Sequence, residues 1–219
     1  MQLRREAAWT LALVLLVACA GAGTDDTAAD ADAAAEVAPQ TATPPADRAA
    51  DPVALACAPN TDRSPLEGRA SPYDSSLVTV GNAQAKICYN RPSARGRTML
   101  GGELPYGTLW RTGANEPTTI HLPVAARIAG IAVEPGSYSI YTIPGEREWT
   151  IIVNRSISQW GADDYTEVEA QEVGRSTVPS QATSEHIEQF TIRSEPGGQA
   201  TSLILEWENT RVAIPIAPV

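Results

Sequence analysis

An antiparallel β-sandwich is predicted for the folded part of this 219-residue chain, on three observations. Short runs of alternating apolar and polar residues recur from about residue 71 onward. Turn pairs built from Gly, Pro and Asn separate them. No stretch of that region carries a sustained helical period. Roughly nine or ten strands without crossover helices imply a two-layer sandwich, with a barrel as the second choice.

The strands follow in order. Runs 75–80 and 83–90 flank Gly81–Asn82, a hairpin pair. Further strands are expected over 117–124, 126–133, 137–143 and 149–154, with a weaker run at 171–178. Runs 187–193, 200–207 and 211–216 complete the set. Pro135–Gly136, Pro144–Gly145 and Pro196–Gly197 mark bends. In "SLILEW" Leu203, Leu205 and Trp207 alternate with Ile204 and Glu206, as on a two-sided strand. The acidic stretch 163–172 is the one place where a helical turn or two is expected.

Upstream, the chain reads as an address and a spacer. Arg4 and Arg5 precede an apolar run from Ala7 to Val17 that ends in Leu16–Val17–Ala18–Cys19. A basic start and a short apolar run describe an export signal, too short for the ~20 residues that span a bilayer. Its end is similar to the bacterial lipobox, so residues 1–18 are expected to be removed and Cys19 lipidated; a plain cleavage signal or a short membrane anchor is the alternative. Two or more acyl chains anchor stably, at about 0.8 kcal/mol per buried methylene. Ala20 stands where Asp would retain a lipoprotein at the inner membrane, which points to the outer one. Residues 19–56 then form an acidic Ala/Thr/Pro-rich tether, in which seven acids face the single base Arg48. Such a composition cannot bury enough apolar surface to offset the entropy of ordering. Pro39, Pro44, Pro45 and Pro52 interrupt the competing reading, a long Ala-rich helix.

The net charge of −10 argues against nucleic acid, whose phosphates reward Lys and Arg. One lysine, Lys86, stands against fifteen arginines, a compositional bias that weakens any single arginine as a functional signal. With Cys19 assigned to lipid, Cys57 and Cys88 remain. An exported domain meets oxidising surroundings, so a Cys57–Cys88 bridge is expected, pinning 57–70 onto the sheet; two free thiols are the alternative. Alternation in "AKICYN" places Cys88 on the more polar face of its strand, with Lys86 and Asn90.

Ser71–Pro72, "RPSARGR" (91–97), "GGELPYGTLWRTGAN" (101–115), "YSIYTIPGEREWTIIVN" (138–154) and "WENTRVAIPI" (207–216) together resemble a bacterial family catalogued only as a domain of unknown function and often found in exported proteins and lipoproteins. The resemblance spans about residues 71–216 of the 71–219 domain. It implies the fold and an envelope setting, and no activity. Cys88 departs from it, where a plain strand residue is more usual, and so does His121, where threonine is common.

Within that signature, Arg91, Arg95, Arg97, Tyr106, Trp110, Arg111 and Asn115 lie close in sequence, with Trp160 in a separate loop. As a site, guanidinium forks would grip a carboxylate or phosphate and the aromatic rings would stack on a sugar, giving an anionic or glycan envelope ligand. As a clasp, the arginines would instead satisfy carbonyls of a long irregular loop and pair with acids such as Glu103 or Glu116, Trp110 would be core, and Arg111 would reach toward 91–97 or an opening beside it. The clasp is the preferred reading. No catalytic residue, metal set or cofactor is assigned. His121 in "TTIHLPV" reads as a surface imidazole, and neither it nor His186 accompanies a nucleophile motif. A lone acidic turn at Asp163–Asp164 falls short of a calcium loop. Carboxylate pairs drawn from Glu103, Glu116, Glu206 and Glu208 keep a hydrolase acting on envelope glycans as the alternative to a non-catalytic binding or structural module. Of these, Glu206 and Glu208 read as solvated.

Overall fold

The computed structural model describes residues 55–197 and 200–219. The export signal, Cys19 and nearly all of the tether lie outside them. Nine strands form one continuous antiparallel sheet: β1 (Tyr73–Val80), β2 (Ala83–Asn90), β3 (Thr118–Leu122), β4 (Ala126–Ile128), β5 (Ile131–Val133), β6 (Gly136–Ile143), β7 (Glu148–Asn154), β8 (Glu172–Gly197) and β9 (Ala200–Pro218). Their order is β1-β2-β3-β6-β7-β8-β9-β4-β5, with β1 and β5 at free edges, so the sheet does not close into a barrel.

The sheet becomes two layers because β8 changes partners along its length. Its first residues, through Pro179, pair with β7, and from Ser180 onward it pairs with β9. Pro179 lacks an N–H and suits the end of a ladder. The expected runs 171–178 and 187–193 are therefore one strand, as are 200–207 and 211–216. Conversely, 126–133 is not one strand. Ala129 and Gly130 both take left-handed φ, +49° and +85°, and fold it into a two-residue hairpin with Ile128 opposite Ile131. A four-residue helix α1 (Tyr165–Val168) and a short 3₁₀ turn over Glu169–Gln171 occupy the acidic stretch.

Between the layers lies the main core. Alternation sends Val78, Val80, Ala85, Ile87 and Tyr89 inward from β1 and β2, where they meet Phe190, Ile192, Leu203, Leu205 and Ile214 from β8 and β9. At its centre Trp110 stacks on Trp207, with centroids 5.5 Å apart and planes 17° apart. Phe190 and Trp149 meet the Trp110 ring edge-on, an arrangement that adds roughly 0.5–1.5 kcal/mol per pair beyond area burial.

The opposite face of β2, β3 and β6 is polar yet also covered. Asn90, Cys88, Thr119, His121 and Ser139 are all buried there. His121 is accordingly not the surface imidazole expected from alternation. Every residue of β3 is buried, and the ring of His121 sits between Ser137 Oγ at 2.7 Å and Thr119 Oγ1 at 3.3 Å. Burial and the nearby Lys86 charge lower its pKa. Part of the cover is the 57–70 segment. The Cys57–Cys88 disulfide, with Cα atoms 5.7 Å apart, fastens it to β2.

Candidate functional site

The signature loop, 91–116, joins β2 to β3, and its first half is held by its own arginines. Arg91 donates from Nε to Phe190 O, from Nη2 to Thr191 Oγ1 at 2.8 Å, and from Nη1 to the Asp74 carboxylate. Arg95 donates to Ala70 O, and Arg97 to Ala94 O and Ser93 O. The three guanidiniums bind carbonyls, a hydroxyl and one carboxylate, of the loop itself for Arg97 and of the elements beside it for Arg91 and Arg95, and are spent on separate partners. Glu208 is no solvated turn charge: its carboxylate accepts the amides of Met99 and Leu100 at 2.9 and 2.7 Å. A local irregularity in β9, where Glu208 takes φ +51° opposite Ile187, aims it there. Arg97 and Tyr106 flank a surface cleft with His186 and Glu208.

The second half of the loop, Trp110–Glu116, is built differently. Trp110 pairs its backbone with Thr142 of β6 in both directions, which places its indole in the core and Nε1 on Gly113 O. The chain then turns through Thr112 at φ +55° and Asn115 at φ +57°. For β-branched Thr112 this is a strained conformation, held by its hydroxyl on Thr142 Oγ1 and by Thr118 Oγ1 on its carbonyl. Gly113 passes so close to β2 that a Cβ would lie 3.0 Å from Asn90 O.

Arg111 leaves the backbone opposite Trp110, but it does not reach the 91–97 loop. Its guanidinium lies beside Gly161, near Asp163 and Tyr141. Burial lowers its pKa, and among the described residues its Nε is buried without a partner. Tyr141, whose hydroxyl donates to Gly161 O, has its pKa pushed up to about 12, chiefly by burial. Asn115 binds Asn90 Oδ1 through Nδ2 and accepts the Gly161 amide on its carbonyl. Trp160 stands in the same neighbourhood, with the Arg63 guanidinium 5.6 Å from its ring centroid.

The clasp of this half is a residue that sequence reasoning passed over. Arg69, from the 57–70 segment, puts Nη1 on both Glu116 oxygens, at 2.9 and 3.1 Å, and on Asn90 Oδ1 at 2.9 Å. Nη2 binds Asn60 O and Ser64 O. No motif marks Arg69; the only hint is that it follows Gly68 just before Ser71–Pro72. Beside it lies a cleft of about 310 Å³ lined by 58–62, Glu116 and 157–159. Gln159, on that lining, is 8% exposed and has its Oε1 unpartnered among the described residues, as is Nδ2 of Asn90.

The acidic residues considered for hydrolysis are dispersed. Glu116 holds Arg69, Glu206 holds Arg193 and Arg211, and Glu208 holds loop amides; Glu103 is exposed. Asp164 accepts from Arg63 and the Trp160 amide. Among the described residues no group of three or more His, Cys, Asp or Glu side chains is placed to hold a metal ion.

Comparison with curated proteins finds no match, and neither does comparison with solved structures. A family model does match, over residues 71–216, which takes in every strand but the last two residues of β9, the whole signature loop and Trp160 while leaving out Cys57 and Arg69. By that match the chain belongs to the family described as "Protein of unknown function (DUF2911)".

Proposed function

We propose that this protein is a lipid-anchored module of the cell envelope that binds a polar ligand without transforming it. Cys19 is the anchor and residues 19–56 the spacer. The cleft between 58–62 and 157–159, lined by two acids and no base, is the ligand site, facing a glycan component of the envelope. One observation carries the binding reading. Gln159 lines the cleft with its buried Oε1 unpartnered among the described residues, whereas the carboxylates of Glu116, Glu206 and Glu208 are each spent on guanidiniums or amides. Unmet buried donors and acceptors cost stability, and a ligand that meets them recovers it. The Cys57–Cys88 bridge accords with an exported chain.

The test uses the full-length protein in detergent, co-sedimented with isolated peptidoglycan and applied to a glycan array. Retention that weakens in Gln159→Ala supports the proposal. Release of sugar fragments would replace it with the hydrolase, and no retention on any surface would refute the ligand site. Anchoring is read separately: Cys19→Ser should move the protein out of the membrane fraction or leave an uncleaved precursor, and unchanged partitioning with a normal mature mass would refute it.

A further inference from the structure

The Arg69 contact divides into two unlike halves. Nη2 and Nε bind carbonyls of residues 60–65, in Arg69's own segment. Nη1 alone faces the 71–216 domain, where three oxygens surround it: both of Glu116 and Oδ1 of Asn90. A guanidinium nitrogen of this kind carries two hydrogens, so one of them is shared between two of the three acceptors. A primary ammonium carries three. The rest of the surround also suits a compact cation. The Tyr73 ring lies 5.9 Å from the Arg69 guanidinium carbon, within reach of a cation–π interaction. Asn115 Nδ2 fixes the Asn90 oxygen that faces the cation.

Tyr73, Asn90, Asn115 and Glu116 all belong to the family-matched span, and Arg69 lies two residues before it. The acceptors thus come from the family domain and the occupant from outside it. Glu116 also lines the adjoining cleft with residues 58–62, so a ligand entering from that side comes up against the residue whose carboxylate Arg69 holds.

We propose that the domain carries a receptor for a primary ammonium group, formed by the Glu116 carboxylate, the Asn90 side-chain oxygen and the Tyr73 ring, and that Arg69 occupies it in cis. Any ligand presenting a primary amine competes with Arg69 for the three oxygens. The receptor shares Glu116 with the cleft proposed above, but its test stands apart from the anchoring and the envelope ligand, because it is read on purified protein with a simple amine.

The experiment takes full-length Arg69→Ala and titrates it with ethylammonium chloride at constant ionic strength, with tetramethylammonium chloride as control. Arg69→Ala should melt below wild type, and millimolar ethylammonium should raise its melting temperature saturably. Tetramethylammonium, which has no N–H, should not, and Arg69→Ala/Glu116→Gln should respond to neither. A flat ethylammonium titration, or an equal response in the double variant, overturns the proposal. Should Arg69→Ala fail to fold, Arg69→Lys and Arg69→Gln decide. Arg69→Lys retains the ammonium and should melt well above Arg69→Gln, and equal behaviour of the two overturns the receptor.

Discussion

Arg69 Nη1 lies 2.9 Å from Glu116 Oε1 with both side chains sealed from water, at 1% and 8% relative exposure. Such a pair stabilises little over an apolar replacement, because desolvation offsets most of the Coulomb attraction, but removing one partner strands a buried charge. Glu116→Ala should therefore cost about 3–5 kcal/mol. The double change Arg69→Met/Glu116→Leu should recover most of it. Urea denaturation of the three proteins checks both statements, and a double variant no better than Glu116→Ala would show that the pair fixes the loop geometry itself.

The disulfide acts on the same segment from its other end. It closes a loop with a sequence separation of 31, for which loop-closure entropy predicts a contribution of roughly 3–4 kcal/mol. Cys57→Ser/Cys88→Ala should lose about that much in a urea titration. Limited proteolysis should then cut first within 57–68, before any cleavage in the strands; first cuts inside β2 would place the weak point elsewhere.

Arg111 is expected to be nearly silent in stability. It was the clasp the sequence favoured, but its guanidinium makes no hydrogen bond among the described residues and its Nε is buried. Arg111→Met removes a half-buried charge whose Nε has no partner among the described residues, so its unfolding free energy should stay within about 0.5 kcal/mol of wild type or rise. A loss above about 1 kcal/mol in chemical denaturation would restore the clasp reading.

His121 makes the fold sensitive to acid. Its pKa is lowered by burial and by Lys86, while in the unfolded chain it titrates near 6.5. Between those two values the unfolded state binds the extra proton, so stability rises with pH through that window and is lost as pH falls below about 6.5. His121→Gln should lose less melting temperature than wild type between pH 7.5 and pH 5. Parallel pH curves for the two proteins would assign the acid sensitivity to other groups.

Sequence alone determined the antiparallel β class, the Gly81–Asn82 hairpin, the short helical stretch after Asp163 and the Cys57–Cys88 pairing. Each rests on local rules: period-two alternation, turn chemistry, and the scarcity of cysteines in a chain read as exported. Alternation also carried Trp110 and Arg111 to opposite sides of one extended stretch. It could not say what covers the second side. His121 was read as exposed because polar neighbours mark a wet face in a one-sided sheet, but here that face lies beneath loops and the 57–70 segment. The same limit hid Arg69, since nothing within a few residues of it announces that Glu116, 47 positions away, waits for its charge. Only the tertiary structure decided that Arg91, Arg95 and Arg97 serve their own loop and that Glu208 caps it from across the fold. Only it brought Tyr73, Asn90 and Glu116 around one guanidinium. Backbone propensity acts over a few residues, whereas a buried charge is satisfied wherever the folded chain brings a partner, and that pairing leaves no periodic trace in the sequence.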